Sequence, residues 1–342
     1  MKKSSKRLSL LVLALFALTL IIAACGGGSS SKPADSKTAY PAKAVTFVAP
    51  SGAGGAFDQA LRAITKVLNS TKIVETQMLV EARPGGGGSV FLAEYATNDK
   101  TNDHKLFLTS PVILVNNLKK EGSTPFGYQN TTPLAQFFVD YAVIAVSANS
   151  KYNDLKSLLD DMKANPTKLA VAGGSAPGSV DHLAFLLPAK EYGIDIKRIK
   201  YITYDGKAEA MVSLLGGNAD VLSSVSAQVS SYLEAKKIKV LAVNAPNRLP
   251  GVFKDVPTLN ELGIKGEFVI WRGVFGPEKM SPEAKKFWDE RFKKLSESPE
   301  WKKEMEKNGW DGAYKDSTAF KKSLDEQNAS IRNVLADLGM AK

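Results

Sequence analysis

The stretch "AVTFVAPSGAGGAFDQALRAI", residues 44–64, constrains this chain more than any other. An apolar run from Ala44 to Ala49 ends in a glycine-rich turn, Ser51 to Gly55. A helical period then begins, with Leu61, Ile64, Val67 and Leu68 on one face. Strand, glycine turn and helix in that order open an α/β unit. Glycine lets the backbone come close to a ligand, and the first N–H groups of a helix carry partial positive charge. A small anion is the natural guest of such a turn. Two phosphate readings are excluded. A P-loop needs a lysine after its last glycine, where this chain has Ala56, Phe57 and Asp58, and Phe57 stands where a dinucleotide fingerprint needs its third glycine. A plain tight turn, with Asp58 serving the helix start, is the competing reading.

The alternation continues. "MLVEA" and "KLFLTS" read as strands, with "VFLAEYA" helical between them, so a βαβαβ order and a parallel sheet are expected. A second series begins near residue 140. Its strands are "YAVIAVS", "KLAVAGG", "IKYITY", "ADVLSSV" and "IKVLAV". Its helices are "NDLKSLLDDMKANP", with Asn153 as cap, then "VDHLAFLL", "KAEAMVSLL" and "SAQVSSYLEAKK". "EFVIWRGVFG" is a further strand, and charged amphipathic helices follow from Ser281-Pro282-Glu283, a cap, a first-turn proline and a first-turn acid. Two α/β series with a helical tail predict two lobes, joined by "YAVIAVS" and "FVIWRGVFG".

"AGGSAPGSVDHL", Ala172 to Leu183, repeats the design of the first turn in the second series. Ser179 is a candidate cap, and the N–H groups of Gly178 to Val180 are candidate anion donors. One such loop in each lobe predicts a ligand held between them. An esterase elbow is excluded, because Pro177 stands where G-x-S-x-G needs glycine. His182 and Asp181 are neighbours on one helix start and cannot form a triad with Ser175; His182 reads as packed or capping. "RPGGGGS", Arg83 to Ser89, reads as a βα turn. Trp271 and Arg272, on a connecting strand, are candidates to close over a carboxylate, against a core tryptophan and a surface arginine.

The N-terminus adds location. "MKKSSKR" is positively charged, "LSLLVLALFALTLIIAA" is apolar, and small residues precede Cys25. No charge cluster ends the run, which argues against a permanent span. "IAAC" at Ile22 to Cys25 resembles a bacterial lipobox, which implies cleavage before Cys25 and diacylglycerol on its thiol. Residues 1–24 are then a lipoprotein signal peptide, and 25–39, rich in glycine and serine, a lipidated tether. Cys25 is the single cysteine, so no disulfide forms within the chain. The two histidines, His104 and His182, show no metal-ligand spacing. The net charge of +10 includes Lys2, Lys3, Lys6 and Arg7, and no basic block is interleaved with aromatics, so nucleic acid is not expected as a partner.

From Tyr40 onward the chain resembles the extracytoplasmic solute receptors of the tripartite tricarboxylate transporter family. The resemblance rests on six stretches in order: "YPAKAVTFVAPSGAGGAFDQALRAI", "VEARPGGGGSVFLAEYA", "GSAPGSVDHL", "ITYDGKAEAMVSLLGGNADV", "LAVNAPNRLPGVFKDVPTLNELG" and "WRGVFGPEKMSPEA". It implies a two-lobed, periplasmic-binding-protein-like α/β fold of type II, lobe 1 comprising 40–140 plus 269–342 and lobe 2 comprising 141–268. It implies a small carboxylate (a tricarboxylate such as citrate, or a di- or monocarboxylate) bound in the cleft and delivered to permease subunits. Carried over by position, the ligand contacts are Gly54, Gly55, Ala56 and Asp58; Thr109 and Ser110; Ser175, Gly178, Ser179 and Val180; and Tyr204 and Asp205. Family members commonly have lysine where Asp205 stands and tyrosine where Arg272 stands. The acid disfavours a highly charged ligand, whereas Arg272 favours a second carboxylate. No enzyme activity, cofactor or metal is implied, and a lipid-anchored monomer outside the cytoplasm is expected. An anion receptor serving a sensor and a lipoprotein enzyme are the alternatives.

Overall fold

The computed structural model describes residues 40–121, 124–204 and 206–342. The signal segment, Cys25, the tether and Asp205 lie outside the described residues. Among those described, no helix is long and apolar enough to cross a membrane.

The first series forms β1 (Val45–Ala49), α1 (Ala56–Ser70), β2 (Met78–Ala82), α2 (Ser89–Asn98) and β3 (Lys105–Thr109). β1 is parallel to β2 on one side and to β3 on the other. After α3 (Val112–Leu118) comes β4 (Thr131–Asp140), which is not legible as a strand. Nine of its ten residues are buried, so it has no alternating face, and Pro133 and Gln136 interrupt its apolar run. β10 (Ile270–Pro277) is antiparallel to both β3 and β4, and the short edge strand β11 (Asp311–Lys315) completes the order β11-β4-β10-β3-β1-β2. The sheet is therefore mixed, its expected parallel part confined to β1, β2 and β3.

The second series forms β5 (Ala142–Ser147), α4 (Leu155–Ala164), β6 (Ala170–Gly173), α5 (Val180–Glu191), β7 (Lys200–Thr203), α6 (Lys207–Leu215), β8 (Val221–Val225), α7 (Ser226–Glu234) and β9 (Ile238–Val243). Their sheet has the order β7-β6-β8-β5-β9, with β6 parallel to β7 and β8. The chain passes from the first sheet to the second at Tyr141, between β4 and β5, and returns at β10. The α4 cap is Asp154, whose carboxylate accepts from Ser157 N–H at 2.8 Å; the neighbouring Asn153 instead accepts from Lys239 Nζ. One residue separates the expected cap from the real one, and the distant lysine decides between them.

Three helices follow: α8 (Pro282–Glu297), α9 (Pro299–Asn308) and α10 (Ser317–Asp337). Ser281 caps α8 through Ala284 N–H, as its sequence predicts. One face of the first sheet packs on α1, α8 and α9 through Phe47, Leu61, Ile64, Leu68, Trp288 and Trp301. Each such buried side chain contributes about 2 kcal/mol. The other face shares a core with α10 and α5, in which Phe320 and Leu335 join Leu183 and Leu186. The long C-terminal helix thus belongs to the packing of both sheets.

Candidate functional site

In open α/β sheets ligands bind beyond the carboxyl ends of parallel strands, where successive connections leave to opposite sides. β1 is such a strand, flanked by β2 and β3, and β6 is its counterpart, flanked by β7 and β8. The two glycine loops found in the sequence are the turns that leave these two strands.

In the first loop Gly54 has φ 75°, and no atom lies within 4 Å of where a Cβ would stand at Gly52 or Gly54. Gly55 N–H closes the turn on Gly52 O at 3.0 Å. Asp58 is 2% exposed; its Oδ2 accepts from Gly54 N–H at 2.9 Å and from Arg62 Nε at 2.8 Å. The hydrogen bond from Arg62 is the main reason the carboxyl is held below its ordinary range, with Gly54 N–H adding to it against the opposing effect of burial. Asp58 therefore fixes the loop as a carboxylate. Helix geometry leaves the N–H groups of Ala56, Phe57 and Asp58 without intrahelical acceptors, and Gly55, at the cap position, supplies no side chain to take them. These three N–H groups are the free donors of the loop and helix start.

Thr109 and Ser110 end β3 beside this loop. Thr109 lines one small crevice with Pro50 and Gly88, and Ser110 Oγ accepts from Val112 N–H at 3.4 Å. "RPGGGGS" is a βα turn, with Gly85 to Gly88 all at positive φ and Asn116 Nδ2 donating to Gly87 O at 3.1 Å.

The second loop repeats the principle with different parts. Asp181, 1% exposed, accepts from Gly174 N–H at 3.0 Å, and Lys207 Nζ lies 3.5 Å from its other oxygen. Ser179 occupies the cap position of α5 without a side-chain capping bond. The capping oxygen comes from Ser175, whose Oγ accepts from Asp181 N–H at 3.0 Å. Gly178 N–H, expected to be an open anion donor, goes to His182 Nδ1 at 2.8 Å, and Ser179 N–H goes to Ala176 O. Of the three N–H groups from Gly178 to Val180, only that of Val180 has no acceptor among the described residues. A short turn with positive φ at Gly178 folds its own donors inward, which spacing along the sequence does not reveal.

His182 is buried, and burial, with Lys119 nearby, pushes its pKa down to about 4. It is a neutral acceptor, its ring centroid 4.1 Å from that of Tyr201 and tilted 31° to it. Tyr201 Oη and Thr203 Oγ1 both donate to Ser175 O at 2.9 Å. Tyr204 joins the loop through its N–H to Gly173 O, while its hydroxyl turns to Ser213 at 2.6 Å.

Contact between the two halves near this loop comes from Lys119, whose Nζ donates to Pro177 O at 3.0 Å, and from Met340, which packs on Gly178. The C-terminal tail reaches that position by pairing with the end of α3: Lys120 N–H donates to Met340 O and Lys342 N–H to Leu118 O. Lys119, Met340, Lys207, Tyr201 and Thr203 were not singled out from sequence, because each acts from an element remote along the chain. Arg272 is neither on the surface nor free. It is 7% exposed and donates to Asp140 Oδ2 at 2.7 Å. Trp271 is a core residue whose Nε1 donates to Gln327.

Residues 61–340 match the family model described as tripartite tricarboxylate transporter family receptor. Among curated relatives, the UPF0065 protein in the tcbD-tcbE intergenic region of Pseudomonas sp. strain P51 is 28% identical over 253 residues, 73% of each chain. Among solved structures, a TctC solute binding protein from Polaromonas, without ligand, is 25% identical, with a TM-score of 0.74 over 87% of this chain and 100% of that one. The R. palustris protein Rpa4515, solved with adipate, is 22% identical, with a TM-score of 0.71 over 88% and 99%.

Proposed function

The chain belongs to the tripartite tricarboxylate transporter receptor family, and we propose that it captures a small carboxylate between its two glycine loops and delivers it to membrane permease subunits. The observation that carries this reading is the open first turn of α1. Unpaired N–H groups at Ala56 to Asp58, open space at the Cβ positions of Gly52 and Gly54, and a position beyond the end of β1 suit one carboxylate group. Thr109 and Ser110 add hydroxyls from β3. Ser179 and Val180, with Ser175 and Tyr204, add the grip from the second loop, and Asp205, outside the described residues, joins them from its place in the sequence alone. Adipate in a protein of the same fold supports a carboxylate as the ligand class.

The mechanism is closure. A ligand touching both loops has more contacts when they approach, so it shifts the population toward the closed form, which the permease then reads. In this reading lipid on Cys25 and the tether that follows keep the receptor at the extracytoplasmic membrane face.

A thermal-shift screen tests the proposal. Citrate, tricarballylate, succinate, glutamate, nicotinate, benzoate and terephthalate are compared with phosphate and sulfate. A ligand at about 100 times its Kd stabilises by about 2.7 kcal/mol. A rise with a carboxylate and none with phosphate is expected; folded protein silent to every carboxylate would overturn it.

A further inference from the structure

Arg272, one of two arginines near the first loop, is already paired. Arg272 stands near the start of β10, and Asp140 is the last residue of β4 before the chain crosses at Tyr141. Their side chains meet at 2.7 Å with both residues less than a tenth exposed. Two features place the pair next to the anion-binding backbone. The Phe57 ring, on the second residue of α1, has its centroid 5.7 Å from the guanidinium carbon. The next residue of β10, Gly273, is in register with Thr109 at the end of β3.

A buried cation this close to a ligand would strongly favour extra negative charge, because screening there is weak. A carboxylate bonded to it removes most of that field. The other cation at the loop, Arg62, is likewise bonded to Asp58. The first loop therefore offers backbone dipoles sufficient for one carboxylate and no uncompensated side-chain cation from either arginine. We infer that Asp140 is a specificity-determining residue: by holding Arg272 it sets the ligand charge, disfavouring additional carboxylates at this end of the site. Asp140 acts through Arg272 and is a positioning residue rather than a ligand contact. This inference rests on the carboxylate-receptor reading and narrows its substrate class toward ligands of low charge.

The test is calorimetric titration of the full chain in detergent with butyrate, succinate and tricarballylate, which carry one, two and three carboxylates. The readout is the affinity ratio between polyanion and butyrate, which a purely structural role would not move. Asp140→Asn leaves Arg272 uncompensated, and the succinate-to-butyrate ratio should rise about tenfold or more. Arg272→Gln leaves Asp140 uncompensated and should lower it by a similar factor. Asp140→Asn with Arg272→Gln removes both charges, avoids an unpaired buried ion, and should restore the wild-type ratio. Unmoved ratios in folded single variants, or a double variant whose ratio departs from wild type as far as a single variant's, overturn the inference and leave the receptor reading standing. A wild-type chain that binds none of the three overturns the inference, and the receptor reading falls with it when the thermal-shift screen is silent to every carboxylate.

Discussion

Gly178 donates its N–H to Nδ1 of His182 at 2.8 Å, and this bond requires a neutral imidazole. The second glycine loop is thus tied to a titratable group in the helix it introduces. Burial lowers the folded pKa of His182 from 6.5 to about 4. Above pH 6.5 neither state binds the proton, and the stabilisation is fully present. As pH falls from 6.5 toward 4 the unfolded state takes up the proton and the folded state does not, so stability is lost across that window. The loss should approach about 3 kcal/mol. Urea denaturation between pH 7 and pH 4 would show it, and His182→Gln should flatten the part due to this residue. An equal slope in the variant would contradict the assignment.

Asp58 holds the first loop as His182 holds the second. Asp58→Ala removes the acceptor for Gly54 N–H and leaves Arg62 without its partner. A cost of about 2–3 kcal/mol is expected. Asp58→Asn retains an acceptor oxygen and should cost less. Denaturant midpoints order the two; an equal cost would mean that the charge, not the acceptor, matters.

The glycines differ in what constrains them. Gly54→Ala meets open space but must keep φ 75°, a strain of about 1 kcal/mol. A Cβ at Gly174 would stand 2.4 Å from the backbone N of Lys207, so Gly174→Ala must push the second loop off α6. Gly174→Ala should weaken carboxylate binding more than Gly54→Ala, by at least about tenfold if the loop shift breaks an interaction of 1.4 kcal/mol. Calorimetry with whichever carboxylate gives the thermal shift decides the order.

Removing Met340–Lys342 deletes the tail that pairs with the end of α3 and the side chain that packs on Gly178. The loss of a few backbone hydrogen bonds and one apolar contact should cost about 2–4 kcal/mol. Faster amide exchange at Gly178 and Ser179, whose N–H groups are bonded within the loop, than in the intact chain is the specific signature. Unchanged exchange there would show that the tail does not hold the loop.

The sequence by itself determined the α/β class, both glycine loops at strand ends, the cap at Ser281, the helix start at Val180 and, within one residue, that at Ala56. These are local matters, fixed by hydrophobic period, glycine conformation and the residues next to a helix end. The Asp58–Arg62 pair lies one helical turn apart and was within reach of the same reasoning. The tertiary structure alone decided the rest. β4 was hidden because burial on both faces leaves no alternation to read, and Pro133 and Gln136 break the continuous apolar run that marks an equally buried strand such as β5. Asp140 meets Arg272, Lys207 meets Asp181, and Met340 meets Gly178 across 132, 26 and 162 residues of chain. Which donors stay open to a ligand depends on those partners, because a hydrogen bond or ion pair is settled by proximity in the folded state. That is why Gly178 and Arg272, both offered by the sequence as anion contacts, have intramolecular partners in the structure.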